Sequence, residues 1–470
     1  MGLNRYSKFA FLGLIFLLLC SCALTSMPQA TFVDPNATLH LYLQPMPQEA
    51  HKLSLTLASL NARTLDGRDI PLLDGELVLN PAESVGRQIK LLQKKLPVGE
   101  YIGLSIELAA ATLETEEGPV DLLIEKPSQL IEQDFLIEPS QAQTLFLSLN
   151  PDRLVTDGYM LSARFSVWKA QMPLPGLKGV VSQPLNGTLT LFEKKTPMIF
   201  SVIAVGRGPA GMALDQRRRL VYLALTEENA ITVLDLVRDK VQRKIRLHTA
   251  ARPTELALSA DGAVLLSVNT GTNSVSILET DSLMERRRLY FSSTPAKVFT
   301  GVDKRWAYVT LPDANALALI NLDRAAVTAT INLPETVLDG ATDMTGREIY
   351  LLTANSATLL VVDAARLQET GRVYIGYGAR ALTVDRSGLV YVGMKTGEVA
   401  VVDPQAGFPI DSFRVGREVV DLAIDREENT LFVVTDNEPL LEKFDLVSKR
   451  KMATLELGAR SFAVNVMGER

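Results

Sequence analysis

The chain has 470 residues, of which 47% are apolar, 6% aromatic and 22% charged, the make-up of a folded protein too long for one ordinary core. Its net charge of −6, with Lys and Arg scattered along it, argues against a nucleic-acid partner, which needs a concentrated basic face. The two cysteines, Cys20 and Cys22, both lie at the N-terminal end, so disulfides, thiolate-held metals and a cysteine nucleophile are excluded from everything beyond them.

Residues 1–21 have the build of a signal peptide. Arg5 and Lys8 supply a positive start, and Phe9 to Leu19 is an apolar run of eleven residues, well short of the ~20 that span a bilayer. The end of this segment, Leu19-Cys20-Ser21-Cys22, resembles the bacterial lipobox. The resemblance implies acylation of Cys22 and a linker over 22–35. Several acyl chains would satisfy the need for more than one to anchor stably. Ala23 and Leu24 lack the aspartate that keeps such proteins in the inner membrane, so an outer-membrane lipoprotein, on its periplasmic or cell-surface side, is expected.

From 36 to 172, short runs alternate apolar and polar residues: Leu39 to Leu43, Leu53 to Leu57, Ile102 to Leu108, Thr144 to Leu149 and Met160 to Trp168. Turns such as Asp66-Gly67 and Asp74-Gly75 punctuate them, which predicts an antiparallel β-sandwich. A short amphipathic helix is expected over Arg87 to Lys95. Pro97-Val98-Gly99-Glu100-Tyr101 reads as a turn that drops an aromatic into the core, and Trp168 is also expected there. This stretch, with Phe146 to Asn150 and Phe165-Ser166-Val167-Trp168, resembles an uncharacterised sandwich domain of bacterial surface lipoproteins. That implies a fold and a location but no reaction.

Residues 173–470 repeat. An acid closes an apolar strand at Glu193, Asp235, Glu279, Asp323, Asp363, Asp403 and Asp445, with successive spacings of 42, 44, 44, 40, 40 and 42. A second marker, Tyr222, Leu266, Tyr308, Tyr350, Tyr391 and Phe432, projects back one period onto Val180. A third is an acidic turn at Asp215, Asp261, Asp303, Asp343, Asp385 and Asp425. Each copy holds four strands. The last copy has only an inner strand, Arg460 to Val466, and the first only three outer strands, Gly179 to Val205. Together they predict an all-β, seven-bladed β-propeller closed by a blade shared between the two ends of the array, which removes free edges. Tyr308-Val309-Thr310, with Gly206-Arg207-Gly208-Pro209 and Ala251-Arg252-Pro253 at the inter-blade turn, resembles the YVTN repeats. That family holds binding proteins and some enzymes on similar propellers, so fold alone does not choose a function.

Few residues suggest catalysis. The three histidines are His40, His51 and His248, and the one in the repeats, His248, has no second ligand and no orienting partner. A single tryptophan in the repeats, Trp306, disfavours quinoprotein dehydrogenases. No cofactor, metal or catalytic residue is expected. The acids that close each strand are expected to accept turn amides. Arg217-Arg218-Arg219 and Arg286-Arg287-Arg288 are basic clusters placed at turns on the outside of blades. Arg207, Arg252, Lys297, Arg380, Arg417 and Arg460 precede the inner strands and could focus a positive potential at one channel mouth. Alternatively, they are solvated charges pairing with Asp339, Glu418 and Asp421. The leading expectation is a lipid-anchored binding or scaffold protein for a protein or anionic envelope ligand. A propeller-type envelope hydrolase or dehydrogenase, and an accessory lipoprotein of an outer-membrane assembly complex, are the alternatives.

Overall fold

The computed structural model describes residues 36–470, apart from 47–49, 51, 81–85, 151–153, 437 and 469–470. The expected signal peptide, Cys22 and the expected linker over 22–35 lie outside the described residues, as does His51.

In the N-terminal region, Phe165–Trp168, Ala142–Leu149, Asn36–Leu43 and Ile89–Pro97 form one sheet in that order. Leu53–Thr64 pairs with Gly99–Thr115 in the centre of a second. Both sheets bury leucine-rich faces in a single core that includes Leu39, Leu55, Leu104 and Leu147. The sequence reading needs two corrections here. Asn36–Leu43 runs parallel to Ala142–Leu149, so the first sheet is mixed rather than antiparallel. The expected helix over Arg87 to Lys95 is instead strand Ile89–Pro97, paired along Asn36–Leu43 with a bulge at the Leu41/Tyr42 step. Past the bulge, Leu92, Lys94 and Leu96 share one side of the strand in period two and Leu96 is fully buried. A neighbouring strand therefore overrides a weak helical pattern. Tyr101 is buried as expected, stacked on Phe135 with centroids 4.9 Å apart, and its hydroxyl donates to the Pro97 carbonyl at 2.9 Å.

Seven four-stranded antiparallel sheets follow among the described residues. Six are continuous up-and-down runs, starting at Pro209, Pro253, Val298, Val337, Ala379 and Val419. In chain order we call these the second to the seventh sheet. The first combines Lys178–Gln183, Thr188–Glu193 and Met198–Ala204 with the distant strand Val464–Val466. The expected union of the two ends is present: Gly179, Val180 and Val181 pair with Val466, Asn465 and Val464.

Each sheet shares an apolar core with the next. Leu223 and Leu234 pack with Val180 and Leu191 of the first sheet, and Ile231 and Val233 with Leu265 and Leu278 of the third. The series closes where Phe432 and Val434 of the seventh meet Val181 and Phe192 of the first. The second-strand markers Tyr222, Leu266, Tyr308, Tyr350, Tyr391 and Phe432 are all buried between sheets.

Turn chemistry sets the strand ends. Asp235 accepts the amides of Val237 and Arg238 at 2.7 and 3.2 Å, and Asp445 those of Val447 and Ser448 at 3.1 and 2.6 Å. These side chains mimic a backbone turn. One marker is corrected. The residue of the fourth sheet equivalent to Asp235 is Asn321, paired with Trp306 as Asp235 is with Leu220, and it accepts the Arg324 amide at 2.9 Å. Asn321 lies 42 residues from both Glu279 and Asp363, which evens out two of the irregular steps. Arg286 to Arg288 also sit within the outer strand Glu285–Tyr290, not in a turn.

The N-terminal region is packed on the first sheet. Tyr42, Phe146 and the half-buried Trp168 join the core that the first and seventh sheets share. The Gln88 side chain donates to the Ile199 carbonyl at 3.0 Å and accepts the Ile199 amide at 2.9 Å. Thr144 accepts the Val202 amide at 3.0 Å. Outer strand Met198–Ala204 is therefore covered. Residues 36–470 make one compact unit.

Candidate functional site at the inner wall

The innermost strands of the seven sheets share a register. The residues facing the second-strand markers are Asn465, Ala213, Ala257, Phe299, Ala341, Thr383 and Ala423. Two residues before each lies an equivalent position, occupied by Ala463, Gly211, Glu255, Lys297, Asp339, Ala381 and Asp421. One position of the repeat thus gathers three acids and one lysine onto the inner wall.

The charges engage one another and the backbone. Lys297 Nζ lies 2.7 Å from Glu255 Oε1. Asp339 accepts the amide of Leu382 at 3.2 Å, and Asp421 that of Val464 at 2.9 Å. Both donors directly follow the equivalent position in the next sheet, and Leu382 lies just past the bulge between Ala379 and Ala381. Each acid thereby ties one inner strand to the next. Gly211 makes room for this: a Cβ there would lie 2.5 Å from Glu255 Oε2 and 2.6 Å from the Thr254 carbonyl oxygen.

Enclosure shifts the titration of the group. Burial raises Asp421 to about 7, against the opposing pull of Lys297. Glu255 and Asp339 are raised for the same reason, again opposed by Lys297. For Lys297, burial works to lower the value, but the carboxylates of Glu255, Asp339 and Asp421 outweigh it and the ammonium is held firmly charged. One cation among three acids can hold a proton on the cluster near neutrality.

The six cations expected at the mouth do not converge freely. Lys297 belongs to the inner-wall cluster. Arg380 pairs with Glu418 at 2.7 Å, Arg460 with Asp436 at 2.6 Å, and Arg417 with Glu438. Arg207 and Arg252 have exposed side chains, while their backbone amides donate to Glu228 and Asn229 at 2.7 and 2.9 Å. Pairing with Glu418 is as the sequence suggested, whereas the acids on Arg417 and Arg460 were not foreseen. His248 is exposed, its Nδ1 2.9 Å from the Thr249 carbonyl. His40 is buried and lowered to about 3, by burial first and by Lys90 second.

Glu255 was missed altogether. Its signal was a charge interrupting an apolar inner strand at a fixed offset from the aromatic marker, as in Pro253-Thr254-Glu255-Leu256 and Val419-Val420-Asp421-Leu422. Also missed were the buried Lys178, Lys194 and Lys443, whose Nζ atoms lie 2.7, 2.9 and 3.0 Å from Asp239, Asp425 and Glu428. Among the described residues, no group of three or more His, Cys, Asp or Glu is placed to hold a metal ion. A separate open cavity of about 490 Å³ lies in the N-terminal region, lined in part by Leu65, Arg68, Pro97 and Tyr101.

No protein-family model matches the chain, and no curated protein matches it by sequence. Solved structures do resemble it. A protein of unknown function from Desulfotomaculum acetoxidans DSM 771 is 12% identical, with a TM-score of 0.55, covering 61% of this chain and 97% of that one. The dihydro-heme d1 dehydrogenase NirN in complex with DHE is 15% identical, with a TM-score of 0.51, covering 64% and 77%. The Myceliophteria thermophila Cps50 (Swd1) β-propeller domain is also 15% identical, with a TM-score of 0.50, covering 56% and 90%. At such identities the likeness shows the fold alone, an all-β chain of propeller type.

Proposed function

We propose that this chain is a lipid-anchored binding or scaffold protein of the cell envelope, built as a YVTN-type seven-bladed β-propeller with a β-sandwich fixed to its closing blade. It is anchored through Cys22 to the outer membrane and takes a protein or an anionic envelope ligand at the channel mouth. The observation that carries this reading is how the ionisable groups are used. Those on the inner wall are occupied in holding strands together, whereas those at the strand starts form exposed, exchangeable pairs such as Arg380–Glu418 and Arg460–Asp436. Exposed ion pairs contribute only ~0–1 kcal/mol, so an acidic group on a partner can replace the internal acid at little cost. Arg207 and Arg252 add two further exposed cations.

Cross-linking in intact cells, followed by identification of the captured partner, tests the proposal. Reversal of Arg252 and Arg417 to Glu is expected to abolish capture without unfolding the ring, and undiminished capture by the double variant would overturn the mouth as the binding site. The anchor is tested separately. Cys22→Ala is expected to lose acyl label and to leave the membrane fraction.

A further inference from the structure

The outermost strands of the seven sheets differ sharply in charge. The first, Met198–Ala204, has none and is covered by the N-terminal region. The fourth to seventh are neutral: Ala326–Asn332 has no charged residue, and the others each balance one acid with one cation. The second and third stand apart. Lys240–Arg246 carries Lys240, Arg243, Lys244 and Arg246 without an acid, and Glu285–Tyr290 sets three arginines against one glutamate. These strands belong to adjacent sheets of a chain whose net charge is −6.

Protection of a sheet edge against pairing explains a lysine on an edge strand. It does not explain the concentration, because the fourth sheet leaves Ala326–Asn332 uncharged at an equivalent edge. Some of these cations have internal work. Lys244 pairs with Glu228 at 2.7 Å, Arg288 with Glu285 at 2.6 Å, and Arg286 donates to the Leu322 and Asp323 carbonyls. Lys240, Arg243, Arg246 and Arg287 have no ion pair among the described residues, and all but Arg287 lie on one strand that is exposed almost throughout. Side chains of the opposite character stand between them: Val237, Val241, Met284 and Tyr290 are exposed, the last two by 70% each.

We propose that the outer wall of the second and third sheets docks onto an anionic lipid surface, with the unpaired cations among the headgroups and the exposed apolar side chains at their base. A strand of seven residues spans roughly 20 Å, and the exposed cations and apolar side chains are spread over the outer strands of two sheets rather than gathered in one cleft, which suits a surface better than a small ligand. Cations beside a membrane add attraction one by one, and interleaved apolar and aromatic groups settle at the headgroup level. The inference rests on the envelope reading only in placing the chain beside a membrane; the contact itself is measured without the acyl anchor.

The test uses the compact unit 36–470 in vesicle flotation. It is expected to float with vesicles of phosphatidylcholine containing a third phosphatidylglycerol, not with pure phosphatidylcholine, and to be released by 0.5 M salt. The triple reversal of Lys240, Arg243 and Arg246 to Glu is expected to weaken partition at least tenfold. Reversal of Arg324, Arg366 and Lys449, on the hairpins of the fourth, fifth and seventh sheets, is expected to leave it within twofold. Circular dichroism melts of both variants establish that each is folded. No flotation of the native unit, equal loss in both variants, or binding to polyglutamate but not to vesicles would each overturn the proposal. Failure of Cys22 to acylate would sink the anchor alone.

Discussion

The sixth sheet and the first have the same four strands but are held together differently. All of the sixth comes from the continuous stretch Ala379–Arg414, and the Asp403 carboxylate shapes its last turn by accepting the Gln405 amide at 2.9 Å. The first must recruit Val464–Val466 from the far end of the repeats, with no hairpin to set the register. Buried polar side chains do that work instead. Gln183 donates to the Leu457 carbonyl at 2.8 Å, and Gln216 donates to the Val466 carbonyl and accepts the Gly468 amide, both at 3.1 Å. Lys194 reaches the Met467 carbonyl at 2.7 Å and Asp425 of the seventh sheet at 2.9 Å. On the other flank, Lys178 reaches Asp239 of the second sheet at 2.7 Å. Where connectivity cannot align two strands, desolvated ions and amides do, because a slipped register would leave them unpaired.

The severest challenge to this contrast is to end the chain after Arg460. Val180 and Val181 would lose their inner partner and the seventh sheet its neighbour. Loss of the folded monomer is expected in gel filtration and thermal melts, and a native melt would refute the seam as a structural requirement. Next is Lys194→Met, which strands a carboxylate whose side chain is fully inaccessible. Urea denaturation should show a loss of about 3–5 kcal/mol. Asp363→Ala, which removes the turn acceptor of the Ala365 and Arg366 amides and a long, exposed ion pair with Arg366, should cost about 1 kcal/mol. Equal losses would erase the distinction between seam and hairpin.

Gly211→Ala pushes a methyl against Glu255 and the Thr254 carbonyl and should cost about 1–3 kcal/mol. Gly371→Ala, in outer strand Gln368–Tyr374 with nothing within 4 Å, should be close to neutral. The gentlest effect is on pH. The Asp421 carboxyl is raised to about 7 in the folded chain from the ordinary 3.8, so over that interval the folded state keeps a proton that the unfolded state has shed. The contribution of Asp421 to stability should therefore fall as pH rises from about 4 to about 7 and level off above it. Asp421→Asn should flatten this slope in melts recorded across the range, while Asp363→Ala should not.

Much of the repeated four-stranded pattern is legible in the sequence, because each hairpin writes its own hydrogen-bonding needs into a fixed spacing. Asp235, Asp445 and the buried Tyr222 recur at that spacing for local reasons. The count of strands at each end also implied that Val464–Val466 would complete the first sheet. Nothing local marked the parallel pairing of Asn36–Leu43 with Ala142–Leu149, or the strand at Ile89–Pro97. Both depend on which neighbour arrives alongside. The inner-wall cluster is the clearest case of something only three dimensions could supply. Glu255, Lys297 and Asp339 follow one another one repeat apart in the chain, and Asp421 comes two repeats after Asp339. Their charges interact because successive sheets bring the same register position together, and burial there changes what a carboxylate can hold.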